Sequence, residues 1–443
     1  MLLLALSAAG CQKFLDEKPI LNILVPETVD DLEKLLDATR RGLNDTPSIL
    51  EVGTDNIYTT DAGYSGMSLV ERNAYTWQKN VYESNAVDWD TPYQQILYAN
   101  VVLDEADKLS IGSQEEQNHL NEVKGRALWM RAQAYAQLMN AFAAPFEPGG
   151  SNSSPGVPLH TSPEVKVKVK RATVDENYAQ IIEDLELALD LLPDHSQYKT
   201  RASKHSTHAL LARVYLAMEE YELAGTHAET ALGFDNALMD YNGFDSDAKY
   251  PFPLFNTEVI HHLEMSRYLY LTSGLIFVDS TLVKQFEEND LRKELLFTPT
   301  AQGMNFDGNY SGSRVRFSGL ANNEMYLIAA ECAAREGDVD KSLTLLNTLL
   351  ETRWQAGTFV PFESPDAQTA LELILEERRK ELIFRGIRWS DLRRLNRDTR
   401  FAKAIQRNVE GASITLEANS TNYLLPIPPL EIQVSGIAQN PRK

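Results

Sequence analysis

Two cysteines in 443 residues exclude a disulfide framework. Cys11 and Cys332 form no CxxC pair, and Cys332 lies among alanines in Ala-Ala-Glu-Cys-Ala-Ala, where a small buried core residue is expected. Basic residues are also short: 42 Lys and Arg face 63 Asp and Glu, a net charge of −21. That balance excludes nucleic-acid phosphate as a partner, and it favours solubility without naming a ligand. The apolar run Met1 to Gly10 is too short to span a bilayer as a helix. No GxSxG, HExxH, P-loop or dinucleotide fingerprint occurs, so nothing supports catalysis. Carboxylates are plentiful, but the geometry a glycosidase needs is not set by spacing along a chain. His205 and His208 stand at i, i+3 without a third ligand, and the adjacent His261 and His262 point apart in either regular structure; no metal site and no cofactor is expected.

What is present is helix. With 43% hydrophobic and 9% aromatic residues the chain can bury a substantial core. Pro26 to Arg41 carries Val29, Leu32, Leu35 and Leu36 at helical spacing behind Thr28 as a cap. Helical periods return over Trp89 to Leu109, Asn118 to Phe142 and Thr173 to Leu192, the last stopped by Pro193. From His208 to Leu232, Leu211-Ala212-x2-Tyr215 followed by Ala224 and Ala231 fits the small and large spacing of a tetratricopeptide repeat, with His208 at the usual tryptophan position. Asn323 to Thr352, turning at Gly337, reads as a second such pair. Two stretches lose the period, Leu43 to about Asn85 and roughly Asp235 to Ser318. Both are rich in turn formers, with aromatics off any helical stripe. Repeat arrays put such insertions on one face, often the binding face.

Near the C-terminus, Leu371, Ile374, Leu375, Leu382 and Trp389 fall on one helical face, and Arg378 falls within it, about 20° from Leu371 at 100° per residue. A guanidinium cannot shed its charge, so in a core it needs a carboxylate, which Glu377, Glu381 or a neighbouring helix could supply. Arg388 and Asp391, with Arg393 or Arg394, read as surface ion pairs worth tenths of a kcal/mol each.

The same residues, Glu377-Arg378-Arg379-x-Glu381-Leu382-x-Phe384-x-Gly386-x-Arg388-Trp389-x-Asp391-Leu392-x-Arg394, resemble the C-terminal signature of the SusD/RagB family. Arg385 departs from it, standing where that family usually has an acid. Further motifs in the right order strengthen the likeness: Phe-Leu-Asp just after Cys11, Trp89-x3-Tyr93-x2-Ile96-x3-Asn100-x2-Leu103, Pro155-Gly-Val-Pro-Leu159, Tyr423-Leu-Leu-Pro426-Ile-Pro428, and Gln439-Asn-Pro441. The resemblance runs from Cys11 to Pro441. It implies one all-α domain over 11–443, with four tetratricopeptide-like helix pairs forming a right-handed scaffold; Ala127 to Pro193 and Leu371 to Ile405 would supply the remaining pairs. The small residues before Cys11 resemble a lipoprotein signal peptide over 1–10, with Cys11 as the lipid-attachment residue. The run lacks the basic opening of such a signal, as expected if the true start lies upstream.

The resemblance further implies a non-enzymatic, cell-surface lipoprotein on the outer membrane. It would capture a glycan and deliver it to a SusC-like TonB-dependent porin, as in polysaccharide utilization. An aromatic ring matches the C–H face of a pyranose, and neighbouring Asn, Asp and Arg can bond its hydroxyls. The ligand-binding candidates are therefore Tyr64, Tyr75 and Trp77 beside Asp55 and Asn56, followed by Tyr268, Tyr270 and Tyr310. Trp89, Trp129 and Trp389 sit on helical patterns and read as core. The alternatives are capture of peptides or another oligomer by the same architecture, a scaffold that holds another protein, and an outer-membrane hydrolase whose catalytic constellation the sequence does not display.

Overall fold

Thr28, Ser113 and Thr173 each begin a helix by turning a side-chain oxygen onto a backbone N–H three residues ahead. At Thr173 the Glu176 carboxylate reaches back to complete a capping box. In the computed structural model, which describes residues 26–164, 169–266, 268, 271 and 274–443, the helices that matter for the site are α1 (Val29–Leu36), α2 (Val87–Ala106), α3 (Gln114–Phe142), α4 (Val174–Leu191), α5 (Lys204–Ala217), α6 (Tyr221–Phe234), α7 (Asn322–Glu336), α8 (Val339–Glu351), α9 (Ala367–Glu381) and α10 (Arg388–Leu395).

Consecutive helices pack as pairs, and the pairs stack. α3 packs between α2 and α4, α6 between α5 and α7, and α7 also meets α8 and α9. Small residues allow the close approaches. A side chain at Gly125 of α3 would strike Leu192 at 2.8 Å, and one at Gly225 of α6 would meet Cys332 of α7 at 3.0 Å. Ala224, Ala228 and Ala231 line the same α6 seam, fully buried. Cys332 is thus a packing residue, its thiol pushed up to about 12 by burial. Gly337, at φ +90°, turns α7 into α8. The helices expected from periodicity are present, with ends shifted by a few residues.

The signature does not form one helix. Phe384 and Gly386 both adopt positive φ, +56° and +75°, and separate α9 from α10. Leu371, Ile374 and Leu382 pack with Leu346, Leu349 and Leu350 in one core, while Trp389 enters another beside Tyr423, to whose carbonyl its Nε1 donates at 3.1 Å. After α10 the chain forms no further repeat helix. Strand Ile405–Val409 turns at Glu410 and Gly411, both at positive φ, into Ala412–Leu416.

The two irregular stretches are built onto each other. Asp45–Thr46 pairs in parallel with Glu264–Met265. β1 (Ile57–Thr59) pairs antiparallel with β2 (Ile276–Val278), and β2 in turn meets the hairpin of β3 (Phe297–Pro299) and β4 (Met304–Phe306). Most aromatics of 235–318 point inward rather than to a binding face. Tyr241, Phe252, Tyr310 and Phe317 form a buried relay with ring centroids 4.9, 5.3 and 5.8 Å apart. The fold is helical with small two-stranded sheets at these excursions.

Candidate functional site

The excursion over 43–85 is fastened to the signature by charge. Asp55 accepts from Arg388 Nε and Nη2 at 2.7 and 2.9 Å, lies 3.3 Å from Arg379 Nη2, and also pairs with Lys403. Burial opposes ionisation of Asp55, but the charges of Arg388, Arg379 and Lys403 outweigh it and hold the carboxyl well below the usual range. Arg378 is 3% exposed and donates to Asp391 at 3.0 Å, so it is desolvated and paired as its helical position required. Its partner is Asp391 rather than Glu377 or Glu381. Those two acids bond Arg292 at 2.7 and 3.2 Å, and Glu381 also bonds Arg353 at 2.9 Å. The expected surface pairs of Arg388, Asp391, Arg393 and Arg394 are interior: Arg394 bonds Glu331 and Asp391, and Arg393 donates to the carbonyls of Asn140 and Ala143.

Four of the eight expected ligand contacts lie in the core. Trp77 is 4% exposed, at φ +53°, its Nε1 on the Gly53 carbonyl at 2.9 Å and the Arg407 guanidinium 5.1 Å from its ring. Tyr75 is 2% exposed under the same guanidinium, at 3.6 Å. Asn56 is buried and spends its amide on Glu51 at 2.9 Å. Tyr310 is 3% exposed and donates to Glu258 at 2.7 Å. A sugar ring does not reach these groups without opening the packing. The sequence marked Trp77, Tyr75 and Tyr310 because no helical stripe accounts for them; a core built from loops has no stripe. Tyr268 is half-buried, its hydroxyl on Asp88 at 2.6 Å. Tyr270 and Cys11 lie outside the described residues.

Tyr64 keeps a partly exposed ring, 6.0 Å from Tyr75, and it leads to the seam between the excursions. The Tyr75 hydroxyl accepts from Thr59 N at 3.2 Å, and the Thr59 hydroxyl donates to the Leu275 carbonyl at 2.8 Å. Beside them Tyr58, on the outer side of β1, rests on Phe277 at 5.4 Å and donates to the Gln302 carbonyl at 2.8 Å. Leu275 stands 47% exposed at the edge of β2. A side chain at Gly303 would meet the Tyr58 hydroxyl at 2.2 Å and Phe277 Cβ at 3.1 Å, so the glycine lets the Tyr58 ring lie close. Around this seam Leu275 and Gln302 are exposed and Tyr58, Tyr64 and Met304 are partly exposed. Sequence reasoning missed Tyr58. Its signal was the alternation Ile57-Tyr58-Thr59, which turns Tyr58 away from the buried Ile57.

His208 Nδ1 lies 2.9 Å from His227 Nδ1, and His205 stacks on Phe234; burial pushes His205 and His227 down to about 4. Among the described residues no group of three or more His, Cys, Asp or Glu is set to hold a metal ion, and no helix is long and apolar enough to cross a membrane.

Residues 13–216 match a SusD-like family model described as starch-binding, associating with outer membrane, and residues 322–442 match the SusD family model. The stretch between the two matches contains the second excursion. SusD-like protein P2 of Formosa agariphila is 25% identical, over 97% of this chain and 96% of its own length. A SusD superfamily protein from Bacteroides thetaiotaomicron shares the fold at TM-score 0.75 and 22% identity, covering 94% of this chain and 100% of that one. A SusD-like carbohydrate binding protein from Bacteroides vulgatus does so at TM-score 0.67 and 22% identity, covering 93% and 97%.

Proposed function

The chain belongs to the SusD/RagB family, and on that premise we propose that it is a surface lipoprotein that captures oligosaccharides and passes them to a SusC-like TonB-dependent transporter. The observation that carries the reading is the seam where the two excursions meet, with Tyr58 and Tyr64 half-exposed and Leu275 and Gln302 exposed beside them. A flat ring offers the C–H face of a pyranose an apolar platform, and neighbouring polar groups select among hydroxyl patterns. The starch-binding description of the family model and the carbohydrate binding of the B. vulgatus relative support a glycan as the ligand class. The proposed role is binding and hand-over, with no bond broken, and Cys11 is the proposed anchor.

Calorimetric titration of the protein with a panel of plant, algal and host oligosaccharides tests the ligand class, and co-purification from outer membranes tests the transporter. Glycan binding with a β-barrel partner supports the reading. Peptide binding with no glycan response would transfer the seam to the peptide alternative.

A further inference from the structure

Asp88 is fully buried in the first turn of α2, where the helix N-terminus favours its charge. Its partners come from both excursions. Oδ1 accepts from the amides of Ser48 and Ile49 at 2.9 and 3.2 Å. Oδ2 accepts from the Tyr268 hydroxyl at 2.6 Å, and the Tyr82 hydroxyl stands 3.5 Å away. Among the described residues no cation pairs with this carboxylate. The other charges that act on the two phenols are Glu71 on Tyr268, and Asp90 and Arg442 on Tyr82.

The carboxylate closes the end of a ladder between the excursions. Glu264 N donates to the Asn44 carbonyl at 3.0 Å, Ser266 N to that of Thr46 at 2.8 Å, and the Ser48 hydroxyl to that of Ser266 at 2.7 Å. Further along, the same two segments pair again as β1 and β2, with Asp279 N on the Asn56 carbonyl at 2.7 Å. Each excursion is therefore tied to the other at two places, once at Asp88 and once at the seam. Releasing one tie returns conformational freedom to the chain between them, and the remaining pairing has to offset that entropy. A phenol on an ionised carboxylate at 2.6 Å is the strong kind of tie.

We propose that Asp88 and Tyr268 are positioning residues for glycan binding: the carboxylate fixes the points at which both excursions leave the helices, and so holds β1 and β2 in the register that presents Tyr58. The inference rests on the seam as the glycan site. It gives Tyr268 a role other than ligand contact, since its hydroxyl is committed to Asp88. Asp88, with no exposed surface, acts on a ligand only through the segments it holds.

The test reads amide hydrogen exchange of the full chain without ligand, in wild type, Tyr268→Phe, Asp88→Asn and the double variant. Tyr268→Phe removes one hydroxyl and keeps the ring, so it puts folding least at risk. Amides of β1, β2 and Asp279 should exchange at least several-fold faster in each single variant, while those of α7 keep the wild-type rate. The double variant should exchange no faster than Asp88→Asn, because the two groups act as one. On acidification the difference between wild type and Asp88→Asn should narrow, since a protonated acid offers a donor and an acceptor as the amide does. Burial pushes the Asp88 carboxyl up, so the narrowing begins at higher pH than an exposed carboxylate would give. Titration with maltoheptaose, a starch oligosaccharide, should show at least several-fold weaker binding in both single variants. Wild-type exchange in β1 and β2, a rise shared equally by α7, or binding weakened by Tyr58→Ala but not by Asp88→Asn would each overturn the positioning role. The exchange measurement needs no ligand, so it decides the role of Asp88 even if the wild type does not bind maltoheptaose, a result that counts against the seam instead.

Discussion

Asp55 and Arg388 are 333 residues apart in the chain and meet side-on, two hydrogen bonds of 2.7 and 2.9 Å joining one carboxylate to one guanidinium. This bidentate pair fixes the first excursion to the second signature helix, and Arg379 and Lys403 reinforce it. The seam that presents Tyr58 and Tyr64 is built on that attachment.

Asp55→Asn should therefore cost about 3–5 kcal/mol at neutral pH, as expected when a buried pair loses one charge. The folded-state pKa of Asp55 is depressed, so its contribution is fully present above the unfolded carboxyl value of about 4 and is lost as pH falls through the folded value. Glu331 and Glu381 act with the same sign. Burial raises each, but Arg394 and Arg335, or Arg353 and Arg292, bring them down to about 2. Denaturant melts from pH 7 to pH 2.5 should show the wild-type advantage over Asp55→Asn narrowing below pH 4; an advantage constant with pH would contradict the pairing.

Arg378→Met should lower stability by about 3–5 kcal/mol, because Asp391 keeps its charge in the core while losing one of two partners. Its neighbour Arg394 would retain the other half of the acid, so the double variant Arg378→Met with Asp391→Leu should recover part of the loss. A melting temperature for the single variant within a degree or two of wild type would place Arg378 at the surface.

How far the sequence could be read follows from where period and charge reside. Helix positions were legible because alanine seams and leucine stripes repeat every three to four residues, and Arg378 stood out as a charge inside such a stripe. The break at Phe384 and Gly386 was not, because a positive φ at a non-glycine residue leaves no compositional mark. The partner of Asp55 was hidden for a related reason: ion pairing across 333 residues has no periodicity. The same blindness turned the loop aromatics into ligand candidates. Tyr310 and Trp77 are core residues of segments whose packing is irregular, whereas Tyr58 and Tyr64 keep partly exposed rings.

Trp77→Ala should cost about 3–5 kcal/mol, the cost of truncating a large core side chain, and leave glycan affinity per folded molecule unchanged. Thermal melt and calorimetric titration on the same sample separate the two. Affinity lost with stability intact would put the ring back at a ligand surface.

Cys11→Ser is expected to move the protein from the membrane to the soluble fraction, since acyl chains on that residue are the proposed anchor. Fractionation followed by immunoblot reads the outcome, and retention in the membrane would reject the anchor.

The central claim is that glycans are held at the seam of the two excursions, and Tyr58→Ala tests it most directly. Ring stacking of this kind is worth about 1–3 kcal/mol by analogy with bases on aromatic side chains, or about 5- to 150-fold in affinity. Titration of wild type and Tyr58→Ala with the same oligosaccharide should show that loss, with melting temperatures within a few degrees of each other. Equal affinities in the two proteins would contradict the account.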